Sequence, residues 1–250
     1  MLRKGCLFFM SKFEESEWNQ PKSSERFIEE SDFYIPNRKQ QFEVLKSFYT
    51  NNLLKPGNKQ IKLMDFGCGD GRVTEELLKV DGDLSGVLVD GSKEMINNAK
   101  KRLRSYTNIK FHIITFQELI ENDLINLKFD LIISSLAIHH LSRKDKQSLF
   151  HFIYSHLNRD GFFLNMDVIK APTEFLEEWY LTLWREWIQE NETKSKNTGR
   201  FTNIPDRYKN NPDNHPDRLQ DQLNALESVG FRGVDCYYKY GIFSIYGGQK

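Results

Sequence analysis

Two rhythms alternate along the middle of the chain. Short apolar runs at 61–66, 86–90, 109–115, 129–134 and 161–167 read as strands, and amphipathic stretches near 71–80, 92–104, 117–122 and 143–157 read as helices. Nearly unbroken apolar strands separated by helices predict a parallel sheet with helices on both faces. Ser142 and, three residues on, Asp145 form an N-terminal capping pair for the last of these helices. Ahead of the sheet, 38–54 places Phe42, Leu45, Phe48 and Tyr49 on one helical face, and "KPGN" closes it. Further upstream, 11–36 is polar with spaced aromatics (Phe13, Trp18, Phe27, Phe33, Tyr34), the pattern of short helical pieces laid over a neighbour.

The second half breaks the alternation. Between 172 and 190, Phe175, Leu176, Trp179, Tyr180, Leu183, Trp184, Trp187 and Ile188 recur in pairs every four positions, an amphipathic helix rich in aromatics. The polar stretch 191–216 follows, and its length inside a compact domain predicts a mobile or functional loop. Together 170–216 reads as a lid inserted after the fifth strand. Leu219, Leu223 and Leu226 then form a helix stopped by Gly230, and "GVDCYYKY" and "IFSIYGG" close the chain as two strands. The expected organisation is a leader and cover segment over 1–36 and one domain over 37–250 that carries the lid.

A chain of 250 residues has room for one core of that kind. Its 35 basic and 35 acidic residues cancel, so no broad electrostatic footprint favours nucleic acid or an anionic membrane. Cys6, Cys68 and Cys236 are odd in number and lack metal-ligand spacing, which predicts reduced thiols, no disulfide, no structural zinc and a cytoplasmic setting. The opening "MLRKGCLFFM" is too short in its apolar part for a secretory signal, and no run reaches the length of a membrane span. Met10 is an alternative start that would make the first nine residues a dispensable leader.

The residues that carry chemistry gather in "LMDFGCGDGR". Gly67, Gly69 and Gly71 fall in a turn between strand and helix, where bare backbone lets a ligand approach and the helix N-terminus offers free N–H groups. A dinucleotide fingerprint would need glycine where this chain has Arg72, which argues against a nicotinamide enzyme. Asp90 ends the next strand, 23 residues after Gly67, at the spacing of a carboxylate that grips ribose hydroxyls in a doubly wound fold.

Taken with "VLVDGSKEMINNAK", "FDLIISSLAIHHL" and "LNRDGFFLNMD" in that order, the loop resembles class I S-adenosylmethionine-dependent methyltransferases of the small-molecule kind (type 11, 12 and 25 families). It is similar, too, to relatives that make or use carboxy-S-adenosylmethionine for tRNA wobble-uridine modification. The likeness runs from about residue 40 to the C-terminus, where "LESVGFRGVDCYYKYGIFSIYGG" matches a reversed final hairpin. It implies an α/β fold: a Rossmann-like, doubly wound, seven-stranded and mostly parallel sheet with a C-terminal antiparallel hairpin, a helical N-terminal cover and a helical lid. It also implies S-adenosylmethionine as cofactor, with roles position by position. Gly67, Gly69 and Gly71 would lie along the methionine part, with Asp70 in the same loop; Asp65 would hold the ammonium group through water, and Asp90 both ribose hydroxyls. Gly91, Ser92 and Met95 would flank the adenosine. Thr115, Phe116 and Gln117 stand where the family often has an acidic and a small residue, with Gln117 an amide donor to adenine. Ser134 and Ser135 end the fourth strand against the methionine part and the transferable methyl.

A sulfonium methyl is already activated, so such an enzyme mainly holds nucleophile, carbon and sulfur in line; proximity of that kind supplies ~7–11 kcal/mol. His139 and His140 fall just past the fourth strand, at the carboxyl edge where open α/β sheets bind ligands. Either is a competent base near neutral pH, and in the family a histidine there also packs or bonds to backbone. No cluster shows metal-ligand spacing. Trp179, Trp184 and Trp187 either form the buried stripe of a covering helix, make a homodimer face, or stack on a planar acceptor. Arg185, Arg200 and Arg207 either grip an acidic acceptor or are solvated, and Tyr34 and Arg38 stand where they would close over the methionine end. The expected activity is methyl transfer to an oxygen or nitrogen of a small-molecule acceptor. One rival is a tRNA-modifying or carboxy-S-adenosylmethionine-type enzyme, supported by the cations of "NAKKRLRSY" and of the lid. Another, of a different class, is a non-catalytic cofactor-binding subunit that supports a partner through its aromatic insertion.

Overall fold

The computed structural model describes residues 16, 18, 20–54, 60–122, 124–195 and 199–250. The leader with Cys6, the alternative start at Met10, Phe13 and the turn at 55–58 lie outside the described residues. Seven strands form one sheet: β1 Lys62–Phe66, β2 Ser85–Asp90, β3 Ile109–Ile113, β4 Phe129–Ser135, β5 Leu157–Val168, β6 Arg232–Tyr240 and β7 Phe243–Gln249. Their order is β3-β2-β1-β4-β5-β7-β6; β1 to β5 run parallel, and β7 lies antiparallel to β5 and β6. The order reverses between β1 and β4, and in open α/β sheets that is where a ligand crevice opens. The helices are α1 Pro21–Tyr34, α2 Arg38–Asn52, α3 Arg72–Leu78, α4 Lys93–Arg102, α5 Phe116–Asn122, α6 Arg143–His156, α7 Glu174–Ser195, α8 Ile204–Asn210 and α9 Leu219–Val229.

Side chains leave a strand alternately up and down, so a strand covered on both faces feeds two cores. Leu63 joins Leu88, Leu131 and Ile133 against α2, α3 and α4, while Met64 and Phe66 join Val87, Val89 and Ile132 against α5, α6 and α9. That double burial is why these strands read as unbroken apolar runs. Ser142 caps α6 as expected, its Oγ accepting from Asp145 N at 3.2 Å. The fifth strand starts earlier than its sequence suggests. Leu157 already pairs with Phe129, then Asp160 takes a φ of 63° and the register shifts before Phe162 pairs with Leu131.

A third core roofs the carboxyl edge of the sheet. Leu181, Trp184 and Ile188 of α7, with Phe201, close on Ile35, Val168, Ile242 and Phe243. Trp184 Nε1 donates to Tyr34 O at 2.6 Å and Trp187 Nε1 to Asn37 Oδ1 at 3.2 Å, which ties α7 to the junction of α1 and α2. The cover and the strand ends reach only the later turns of α7, so its aromatic positions divide: Phe175 and Trp179 are 76% and 53% exposed. The polar stretch 191–216 is more structured than a loop, since α7 runs on to Ser195 and α8 lies within it. Buried Glu192 draws the chain inward by accepting the backbone N–H groups of Gly199, at 2.9 Å, and of Phe201.

Candidate active site

The turn after β1 is fixed by sterics. Gly67 has a φ of 64°, and a Cβ built on it would lie 2.5 Å from Ala137 Cβ, so no side chain fits. Gly67 N and Cys68 N donate to Val89 O at 2.9 and 3.0 Å, which pulls the loop over the end of β2. Gly69, at φ 53°, differs: a Cβ there would meet only Met95 Sδ, at 3.9 Å, so its surroundings are open.

Asp90 closes β2 and joins the pieces. Its Oδ2 accepts from Gly69 N at 2.9 Å and its Oδ1 from Ser92 N at 2.8 Å, while Ser92 Oγ caps α4 by accepting from Met95 N at 3.3 Å. Burial pushes the Asp90 carboxyl up to about 6 against the opposing pull of those two N–H groups. Asp65 is buried in β1; its Oδ2 accepts from Thr74 Oγ1 at 2.6 Å, and its Oδ1 has no hydrogen-bond partner among the described residues. Burial, reinforced by the charges of Asp90 and Asp70, pushes Asp65 up to about 7 despite the Thr74 bond. Asp70 is turned into an ion pair with Arg102, which also reaches Glu75 at 3.0 Å.

Thr115 and Glu118 form a reciprocal capping box at the start of α5, with Thr115 N and Oγ1 each 2.9 Å from Glu118 Oε2 and Glu118 N 3.2 Å from Thr115 Oγ1. Thr115 is thereby occupied. Phe116 packs on Phe66 at 5.4 Å and walls the Gly67 turn. The half-buried Gln117 amide makes no hydrogen bond among the described residues. Ser134 Oγ donates to Phe66 O at 2.7 Å, locking β4 to β1, and after Ser135 the chain turns through Leu136 at a φ of 51°.

That turn delivers two adjacent histidines into different surroundings on the short helical turn Ile138–His140. His139 N donates to Asp167 Oδ2 at 3.0 Å and its Nδ1 donates to Asp167 Oδ1 at 2.6 Å. Burial alone would raise the Asp167 carboxyl, but the His139 imidazole and the Val168 N–H hold it below the usual carboxylate range. The proton is therefore fixed on Nδ1, and Nε2 of His139 makes no hydrogen bond among the described residues. In His140, Nδ1 donates to Asp213 O at 3.2 Å and Nε2 accepts from Trp18 Nε1 at 3.1 Å. Burial, and then the neighbouring His139, push His140 down to about 3. Of the pair, only His139 retains a free nitrogen.

The cover is hooked to the loop. Arg38 donates to Ser31 Oγ and to Asp32 Oδ1 at 3.1 Å, and Arg72 donates to Asp32 Oδ2 at 2.7 Å. Arg72, which broke the dinucleotide fingerprint, thus ties α1 to the first turn of α3. Among the partners that escaped the sequence reading are Asp167, which orients His139, and Trp18, which occupies His140. Asp167 left a trace nonetheless, because "LMDF", "LVDG" and "NMDV" each put an aspartate at the end of an apolar strand. Among the described residues no three His, Cys, Asp or Glu side chains converge as a metal site, and no helix is long and apolar enough to cross a membrane.

Known proteins share the fold of this chain. Residues 64–163 match the model of a methyltransferase domain. A carboxy-S-adenosyl-L-methionine synthase of Helicobacter pylori is 24% identical over 223 residues, 86% of this chain and 87% of the relative. A namesake from Campylobacter jejuni is 24% identical over 240 residues, 86% of this chain and 97% of its own. Among solved structures, an O-methyltransferase family protein of Burkholderia thailandensis superposes with a TM-score of 0.64 at 12% identity, covering 95% of this chain and 62% of that one. Magnesium protoporphyrin IX methyltransferase of Synechocystis, solved with bound S-adenosylhomocysteine, gives 0.57 at 14% identity over 85% of this chain and 83% of that one. The strand order, the bare turn over β2 and the methyltransferase domain matched over residues 64–163 all point the same way, to a class I S-adenosylmethionine-dependent methyltransferase.

Proposed function

We propose that the chain transfers the methyl group of S-adenosylmethionine to an oxygen or nitrogen of a small-molecule acceptor, with His139 as proton acceptor. The carrying observation is the His139–Asp167 pair at the carboxyl end of β4, which leaves one imidazole nitrogen free. The loop fits the cofactor: among the described residues Asp65 Oδ1 is a buried acceptor without a donor, suited to an ammonium group, and only Met95 Sδ comes within 4 Å of a Cβ built at Gly69.

Asp65 and the backbone of Gly67, Gly69 and Gly71 would hold the methionine part, and Asp90 the ribose. Gly91, Ser92 and Met95 would line the adenosine, with the Gln117 amide directed to adenine; Ser134 and Ser135 would flank the methionine part. Asp70 serves at one remove, by fixing Arg102 and so the α3–α4 contact. When bound, the cofactor supplies an electrophilic methyl carbon on a sulfonium that leaves as a neutral thioether. His139 Nε2 takes the proton released by the acceptor, and the anionic Asp167 stabilises the imidazolium that results. The roof of α1, α7 and α8 keeps water out. The division into a cover over 1–36 and a methyltransferase domain over 37–250 belongs to the same reading.

Thermal unfolding of the full chain with S-adenosylmethionine, S-adenosylhomocysteine and NAD is the direct test. A ligand at 100 times its dissociation constant stabilises by ~2.7 kcal/mol, so a shift with the first two and none with NAD is expected. A shift with NAD alone would overturn the assignment. A second reading, chemistry on a carboxylated cofactor, draws on the carboxy-S-adenosyl-L-methionine synthases that align over 86% of the chain. Tighter binding of carboxy-S-adenosylmethionine than of S-adenosylmethionine would favour it.

A further inference from the structure

A cavity of about 510 Å³ opens beside the site just described, at the carboxyl end of β5. Ligand pockets of small-molecule enzymes run from ~300 to 1,000 Å³ and favour that edge of an open α/β sheet. The cavity shares a wall with the histidine turn: His215 N donates to His139 O at 2.8 Å, and Lys170 N donates to Asp217 O at 2.9 Å, so the segment 214–217 is stitched across both. Tyr208 stands between, its ring 6.3 Å from His139 and 5.7 Å from Trp184.

The lining is divided by chemistry. Its floor is apolar, with Ile169, Leu181 and Ile242 each no more than 3% exposed. Its rim carries Arg143, Lys170 and Lys209, whose side chains have no hydrogen-bond or ionic partner among the described residues. Lys146 nearby is different, because Asp217 Oδ2 holds it at 2.8 Å and the His215 carbonyl accepts from it as well. Against the three free cations stands one unpaired carboxylate, Glu177. Tyr208 adds a buried hydroxyl with no partner among the described residues, kept protonated by burial. In a chain whose 35 basic and 35 acidic residues cancel, this excess is local.

We infer that the cavity binds a small organic anion, a carboxylate, sulfonate or phosphate monoester on an apolar body, and that this is the charged end of the methyl acceptor. The second half of that statement rests on the function proposed above. The apolar body lies on the Ile169–Leu181–Ile242 floor, the anionic head meets the Arg143, Lys170 and Lys209 rim, and the Tyr208 hydroxyl donates to it.

The test titrates the full chain with two fluorescent probes of similar shape, anionic 1-anilinonaphthalene-8-sulfonate and neutral N-phenyl-1-naphthylamine. In Lys170→Glu the sulfonate probe is expected to lose about tenfold in affinity while the neutral probe changes less than twofold. Lys209→Glu, on an exposed position of α8, should show the same selectivity and serves if the first variant folds poorly; Tyr208→Phe should lose a smaller factor. Phenylacetate and phenyl phosphate as displacers distinguish a carboxylate from a phosphate ligand, and benzyl alcohol should displace neither probe. Equal losses for both probes, or none in either charge variant, would overturn the inference. The thermal shift by S-adenosylhomocysteine reads the methyltransferase assignment separately: its absence would count against that assignment alone, and charge-blind probe binding against the cavity alone.

Discussion

Under the glycine loop, Asp65 is buried with an oxygen that no described residue satisfies, whereas under α7 His140 has both ring nitrogens bonded and Trp184 and Trp187 each donate to the segment 34–37. Asp65 keeps one polar atom unspent, and these three lid-side rings spend theirs on contacts within the protein. A buried acceptor without a donor destabilises a fold by ~1–3 kcal/mol, so the cofactor end is less stable alone than it is with a cation in place. The segment 170–216 gains stability from its own contacts. Variants at the first should therefore change ligand affinity, and variants at the second should change stability or turnover.

The largest effect falls where the two regions meet. His139→Ala is expected to lower kcat by ~10²- to 10⁴-fold with cofactor affinity unchanged, while His140→Ala stays within a few fold. Asp167→Asn should fall between them and shift the pH–rate profile, which a purely structural partner would leave in place. Equal losses at both histidines would erase the distinction. Next, Asp90→Ala removes an acceptor facing two proposed hydroxyl donors and should weaken cofactor binding about 100-fold by calorimetry, with the unfolding transition retained.

The third is a pH experiment. Asp65 sits at about 7 in the fold against an ordinary 3.8, so its contribution to stability is complete below pH 3.8 and is lost as pH rises through 7. Asp65→Asn should raise the Tm of the ligand-free protein by several degrees at pH 8 and lose that advantage by pH 4. Cofactor affinity should climb between pH 5.5 and 8 in the native chain, because the ammonium group favours the ionised carboxylate, and climb less in the variant. A Tm that falls in the variant at pH 8 would show the carboxylate is satisfied after all. The smallest effect is expected from Trp184→Phe, which removes one lid-to-cover bond of ~0.5–1.5 kcal/mol and should lower Tm by about 2–5 °C with cofactor affinity within twofold.

The same contrast separates what the sequence made legible from what it did not. The bare turn, the strand-end acid Asp90, the Ser142–Asp145 cap and the final hairpin are local signals, each written within a few residues because φ, capping and side-chain period are local constraints. The Thr115–Glu118 box was equally local and went unread, which is why Thr115 looked free for a ligand. The lid side depends on pairings between distant positions: Asp167 is 28 residues from His139, and Trp18 is 122 from His140. Such pairs follow from strand order and helix docking, and no spacing rule announces them. Glu192 misled for the same reason. A polar stretch reads as loop until a single buried acid is seen gathering its backbone N–H groups.

Asp32, clasped by Arg38 and Arg72, couples the roof to the bend below it. Its carboxylate is 47% exposed, so dissolved ions reach the clasp and weaken it as ionic strength rises. Traffic through the crevice should therefore follow the saltiness of the medium, with spent thioether departing sooner as ionic strength climbs and the bond-making step itself indifferent.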